Sequence, residues 1–140
     1  MSIVGPWLVD ARVIDLFAGS GALGLEALSR GAAQCEFVEI APKSLSVLRE
    51  NIELLGAGDA AIIRRADALR VASSLDANAF DVGFADPPYD LGLATQLAEV
   101  WLATPFASLL GVEHRTNEGL PGGGRTYTYG DTAVTIFRVE

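Results

Sequence analysis

Two stretches of this chain combine residue types that can do chemistry. Asp86-Pro87-Pro88-Tyr89 puts a carboxylate, a proline-stiffened backbone with a free carbonyl, and an aromatic ring within four residues. Two acceptors, the Asp86 carboxylate and the Pro87 carbonyl, can converge on an amino group conjugated to a ring. They pull its hydrogens out of plane and free the nitrogen lone pair for attack on an electrophilic methyl. Tyr89 offers a π-face on which a planar base can stack. The other stretch is Asp15-Leu16-Phe17-Ala18-Gly19-Ser20-Gly21. Its glycines let backbone approach a ligand closely, and the helix that follows aims its N-terminus at the same place. Gly19, Gly21 and Gly24 spell GxGxxG, and Glu39 lies twenty residues beyond Gly19. That is also the dinucleotide fingerprint, so the glycines leave two cofactors open. Asp15, ahead of the glycines, and Asp86-Pro87-Pro88-Tyr89 are what separate the two.

These residues need a scaffold, and the pattern around them supplies one. Arg12 to Phe17, opening on the β-branched Val13 and Ile14, reads as a buried strand; Ala22 to Arg30 is helical and is stopped by Gly31. Gln34 to Ile40 reads as a second strand, and Pro42 opens a helix with Leu45, Leu48, Ile52 and Leu55 at helical spacing. Ala61 begins a third strand ending near Asp67, followed by a helix over Ala68 to Leu75. Phe80 to Ala85 is a fourth strand, halted by two prolines. Leu93 to Leu102 is a helix and Ala107 to Glu113 a fifth strand. The glycine-rich Thr116 to Gly124 reads as a mobile loop. Thr126 to Tyr129 and Ala133 to Val139 flank Gly130-Asp131 as a hairpin. Alternating strands and helices predict a doubly wound α/β sheet, mostly parallel, with helices on both faces and a C-terminal antiparallel hairpin at one edge.

Open sheets of this kind bind ligands beyond the carboxyl ends of their strands. Asp15, Glu39, Asp67 and Asp86 each fall at such an end. Taken singly, an acid there can be no more than a helix cap, a reading open for Asp67, and Asp15 can simply order the glycine turn. Glu39 is separated from its helix by Ala41 and Pro42, and a carboxylate there suits two ribose hydroxyls. His114 after Glu113 can touch substrate or be solvated, and the latter is the reading favoured; Arg64-Arg65 reads as an exposed strand face, and Trp7 and Trp101 as core or staple residues.

Composition narrows the setting. The chain has 140 residues, read as one domain over residues 1–140, and a formal charge of −8 from 10 Lys and Arg against 18 Asp and Glu. That balance opposes broad attraction to nucleic acid. No apolar run approaches a membrane span, and Met1 to Pro6 has no signal-like segment, so a cytoplasmic protein is expected. The single Cys35 has no disulfide partner and reads as a small buried hydrophobe.

Asp15 to Ala27, Phe37-Val38-Glu39, Asn51, Asp67, Asp86 to Tyr89 and Tyr129-Gly130-Asp131-Thr132 together resemble the RsmD-like family. Its members are bacterial S-adenosylmethionine-dependent methyltransferases of Rossmann-like fold, acting on the guanine exocyclic amine (N2) in 16S ribosomal RNA. The resemblance covers nearly the whole chain in order. It implies that Asp15, Phe17, Ala18, Gly19 and Gly21 belong to the motif wrapping the methionine part of the cofactor. It further implies that Glu39 holds the ribose hydroxyls and that Asp67 and Ala68 lie by the adenine. Asp86, Pro87, Pro88 and Tyr89 would present the target amine, with Asp86 also beside the cofactor and no metal involved. The implied partner is 16S ribosomal RNA or the assembling small subunit, met by a monomer. Family members usually carry a basic N-terminal segment that helps bind RNA, whereas here only fourteen residues precede Asp15. Cofactor binding with weak RNA binding is therefore expected. The alternatives are a cofactor-binding core without RNA activity, and a NAD- or FAD-dependent oxidoreductase built on GxGxxG and Glu39.

Overall fold

Seven strands form one sheet in the order β3-β2-β1-β4-β5-β7-β6 in the computed structural model, which describes residues 4–140. The expectations that fall on Met1, Ser2 and Ile3 lie outside the described residues. The strands are β1 (Arg12–Leu16), β2 (Gln34–Glu39), β3 (Ala61–Arg65), β4 (Phe80–Ala85), β5 (Ala107–Arg115), β6 (Arg125–Tyr129) and β7 (Thr132–Arg138). Between them run α1 (Ala22–Ser29), α2 (Pro42–Leu54), α3 (Ala68–Ser74) and α4 (Leu93–Ala103), with a short 3-10 turn at Gly5–Trp7. Strands β1 to β5 are parallel to their neighbours, and β7 runs against both β5 and β6. The doubly wound expectation holds, with one refinement. The last strand of the chain sits inside, on β5, and leaves β6 as the edge. The dinucleotide order 3-2-1-4-5-6 has no such antiparallel strand between the fifth and sixth.

Side chains alternate across the sheet, so each face has its own core. Val13, Phe37, Val82 and Leu109 meet Leu25 of α1 and Leu45, Leu48 and Ile52 of α2 on one side. Ile14, Leu16, Val38 and Leu110 meet α3 and α4 on the other, where Trp101 and Phe137 stack with centroids 5.5 Å apart. Trp101 also donates its indole N–H to the Ala107 carbonyl at 2.9 Å, which satisfies the one polar atom it buries. Trp7 corrects the core reading. It is 42% exposed, and the Arg138 guanidinium lies 5.7 Å from its ring centre.

Local chemistry sets the element ends where the site will form. Pro42 is the first residue of α2, where a missing N–H costs nothing. Only the first residue of the β6–β7 turn, Gly130, takes a positive φ, at 63°, as a type II′ hairpin requires. The glycine-rich loop read as mobile packs down: a Cβ on Gly124 would lie 2.8 Å from Thr135 Cγ2, and one on Gly122 would strike Leu102.

Gly24 lets α1 lie against the sheet. A Cβ there would meet the Phe37 ring and come within 2.7 Å of Cys35 Sγ. Alanine in a helix interior gains about 1 kcal/mol over glycine, yet overpacking against an aromatic ring costs about 1–3 kcal/mol, and both neighbours are fully buried. Gly24→Ala is therefore expected to lower stability by roughly 1–2 kcal/mol. Urea unfolding measures it, and a stabilised variant would show that α1 has room to move.

Candidate active site

Five strands end on one rim in acids, but they do not all face the same way. Asp15 belongs to the α1/α2 side of the sheet and is 1% exposed; its Oδ2 accepts from the Gly24 N–H at 3.0 Å. Gly24 is the third residue of α1, and the Gly21 cap has no side chain of its own to offer. Asp15 thus supplies the acceptor that a capping side chain would normally provide. Its carboxyl orders the glycine turn from beneath.

The turn itself is held at four further points. The Ala18 N–H donates to the Val38 carbonyl and the Gly21 N–H to the Ala18 carbonyl, each at 2.9 Å. Asn51 of α2 donates its side-chain N–H to the Ser20 carbonyl at 2.9 Å. Glu39, at the end of β2, accepts from the Gly19 N–H at 2.7 Å through Oε1, and from the Ile40 and Ala41 N–H groups at 2.8 Å through Oε2. Three of roughly four lone-pair sites are used, and the one left is on Oε1. Phe17 takes φ 59°, a left-handed conformation a bulky side chain rarely adopts, between β1 and these glycines.

An open groove of about 630 Å³ lies over this end of the sheet. Phe17, Gly19 and Glu39 line one wall with Ile40, Ala41 and Ser44; Asp86, Pro87, Pro88, Tyr89 and Glu113 line the other. Its size fits the roughly 300–1,000 Å³ of small-molecule sites. The structure therefore gathers Phe17, Gly19, Glu39 and the whole Asp86–Tyr89 stretch. Asp15, Ala18, Gly21, Asp67 and Ala68 do not line it. Asp67 caps α3, accepting from the Arg70 N–H at 3.0 Å, and Ala68 is buried.

The Asp86 wall has supports that sequence reasoning passed over. Glu113 lies on β5 beside Asp86, where β4 stops, because β4 and β5 pair Ala85 with Val112. Burial, the Asp86 charge and a hydrogen bond with the Asp86 carboxyl raise its pKa, and the Tyr89 hydroxyl opposes them. The Tyr89 hydroxyl is 3.3 Å from Thr132 Oγ1, and the Arg115 guanidinium sits 4.5 Å from the ring centre. Arg115 also pairs with Asp90 at 3.2 Å. The signal for Glu113 was present, since the fifth strand ends in an acid like the other four. His114 is a correction: it is 3% exposed rather than solvated, with Nε2 2.7 Å from Thr135 Oγ1 and Nδ1 2.9 Å from the Arg115 carbonyl. It pins β5 to β7 and points away from the groove wall that Glu113 forms.

Residues 1–132 match the family model described as conserved hypothetical protein 95. YlbH of Bacillus subtilis is 33% identical over 98% of this chain and 80% of its own length. Ribosomal RNA small subunit methyltransferase D of Escherichia coli is 36% identical over 84% of this chain, and the match spans 60% of that protein's length. A solved conserved hypothetical protein of Streptococcus pyogenes superposes with a TM-score of 0.83 at 30% identity, over 96% of this chain and 89% of that one. An RNA methyltransferase of Salinibacter ruber, solved with S-adenosyl-L-homocysteine, shares the fold at TM-score 0.72 and 18% identity, over 97% and 86%.

Burial pushes the Asp15 carboxyl from its ordinary 3.8 up to about 8; the Gly24 N–H opposes this, and the charges of Asp86 and Glu39 add to it. The folded chain keeps a proton that the unfolded chain releases. Stability is then full below about pH 4 and falls as pH rises toward about 8. Asp15→Asn retains an acceptor for Gly24 and cannot ionise. Urea unfolding from pH 4 to 9 should show the variant gaining steadily on the wild type, by at most about 1.4 kcal/mol per pH unit. Parallel profiles would mean that Asp15 is ionised in the fold.

Proposed function

Because this chain belongs to the family described as conserved hypothetical protein 95, the RsmD-like family its motifs resemble, we propose that it is an S-adenosylmethionine-dependent methyltransferase. Its substrate on this reading is the exocyclic amine of a guanine in 16S ribosomal RNA. The observation that carries it is the groove in which Glu39 and the β1–α1 glycine turn face Asp86-Pro87-Pro88-Tyr89. The names of the Escherichia coli and Salinibacter ruber proteins support the same chemistry. The substrate is met as free RNA or in the assembling small subunit, and the chain acts as a monomer in the cytoplasm. Among the described residues no helix is long and apolar enough to cross a membrane.

The residues present fit the cofactor. Glu39 lines the groove with one Oε1 lone pair left outside its three hydrogen bonds, and on this reading the adjoining loop yields the Ile40 and Ala41 amides so that both ribose hydroxyls are bound. The glycine turn, with no side chain at Gly19, admits the methionine part against backbone, and on this reading the Asp67 oxygen not used in capping α3 serves the adenine side. When bound, S-adenosylmethionine supplies a methyl on a sulfonium that leaves as a neutral thioether. The chain's own part is positioning. The Asp86 carboxylate and the Pro87 carbonyl accept from the two amine hydrogens, which turns the nitrogen lone pair toward the groove. Asp86 Oδ then takes the proton the amine gives up as its new N–C bond forms. Tyr89 stacks the base on the ring face that Arg115 leaves open.

The net charge of −8 remains a constraint on RNA affinity. A nicotinamide-dependent oxidoreductase is the reading that the glycines alone would allow; the strand order and the Asp86–Tyr89 wall speak against it.

Two variants test the assignment. Glu39→Ala is expected to weaken S-adenosylhomocysteine binding by about 1–3 kcal/mol in calorimetry, and unchanged affinity would remove Glu39 from the site. Asp86→Ala should abolish transfer of labelled methyl to unmodified 16S RNA or small subunits while binding S-adenosylhomocysteine as the wild type does. Wild-type turnover by that variant would refute the role of Asp86. A thermal shift with NAD and none with S-adenosylmethionine would turn the reading toward the oxidoreductase.

A further inference from the structure

Among the described residues, Glu113 is the one carboxylate of the groove that no motif accounts for. It comes from β5, one position past the Ala85–Val112 pairing, so its backbone lies beside that of Asp86 at the end of β4. The Asp86 and Glu113 carboxyls and the Tyr89 ring line the same groove, near enough for both neighbours to influence the Glu113 carboxyl. The Tyr89 hydroxyl is also 3.3 Å from Thr132 Oγ1 on the hairpin strand β7. Glu113 also lines a second, smaller cavity of about 170 Å³, with Leu23, Phe84, Tyr129 and Val134. It therefore stands at the inner end of the groove, where the apolar wall begins and the edge of a stacked base would stop.

A carboxylate offers only acceptors. Two of them side by side make an acceptor–acceptor surface, and the base edge that fits it has two adjacent donors. Guanine has such an edge, with the ring N1–H next to the exocyclic amine. Adenine and cytosine place an unprotonated ring nitrogen beside their amine, and its lone pair would face carboxylate oxygens with no hydrogen between.

We propose that Glu113 is a specificity-determining residue, accepting the ring N1–H of the target guanine while Asp86 accepts from its amine. The inference rests on the methyl-transfer reading and extends it from the amine to the base that carries it. Asp86 serves any aromatic amine; Glu113 restricts the site to amines flanked by a ring N–H.

The test uses an RNA that keeps the amine and loses the neighbouring hydrogen. The guanine that the chain methylates in 16S RNA is mapped first, and the same RNA is then made with 2-aminopurine at that position. Single-turnover rates on the two RNAs give a preference ratio for wild type, Glu113→Gln, Glu113→Ala and Glu113→Asp, with S-adenosylhomocysteine binding as the folding control. The glutamine amide can rotate to donate to the unprotonated nitrogen, and alanine offers neither group. Both should lower the guanine preference by about ten- to a hundredfold, the worth of one hydrogen bond to a charged group. Glu113→Asp, which keeps the acceptors, should retain most of the preference. A ratio unchanged in both Gln and Ala variants overturns the assignment of Glu113 and leaves the methyltransferase reading standing. No transfer to guanine by the wild type overturns that reading, and this inference with it.

Discussion

The hydrogen bond from the Gly24 N–H to a buried Asp15 carboxyl holds the working end of this molecule together. It joins Asp15, near the end of β1 and 1% exposed to water, to the third residue of the first helix. A carboxyl that far from solvent favours its neutral form, and the missing side-chain cap at Gly21 gives it an amide to accept from. Gly21 and Gly24 are needed for the same reason, since a Cβ on either would drive the helix off Leu48 or Phe37. Once α1 is seated, the direction of the glycine turn is set, and Gly19 presents its N–H to Glu39.

From there the site is built by a second principle, that parallel strands end together. β1, β2, β4 and β5 finish on one rim, so residues from four distant segments meet without any long loop to hold them. The rim carries little positive charge, and its acids divide the labour by burial. Asp15 acts inward on the fold. Glu39 ties two loops and keeps one lone pair outward. Asp86 and Glu113 face the groove as neighbours, backed by Tyr89, Thr132 and Arg115.

Much of this was legible in the residues. Pro42 starting α2, Gly31 ending α1, and Pro87-Pro88 stopping β4 are local stereochemical statements that no tertiary context overrode. The strand-ending acids pointed to the rim over which the groove lies, and the Asp86–Tyr89 stretch lines that groove. Periodicity could not say which face a strand-end side chain chooses. Asp15 turns inward and Glu39 outward because of helix placement, a property of packing. His114 was read as solvated for the same reason; in the fold it is buried between β5 and β7 by its bond to Thr135. The hairpin was clear from Gly130-Asp131, but a hairpin does not state which of its strands docks on the sheet. Glu113 went unweighed as a ligand because it belongs to no motif, and its partner Asp86 is known only from the β4–β5 register.

The central claim is that the groove between the glycine turn and Asp86–Tyr89 is where cofactor and acceptor meet. Titrating S-adenosylhomocysteine into isotope-labelled chain and following backbone amide resonances tests it most directly. The account predicts that the largest shifts fall on Gly19, Ser20, Gly21, Glu39, Ile40 and Ala41, with smaller ones at Asp86 and Tyr89. Shifts gathered instead around Trp7, Trp101 and Gly122 to Arg125, at the cavity on the opposite end of the sheet, or no shifts at millimolar ligand, would contradict it.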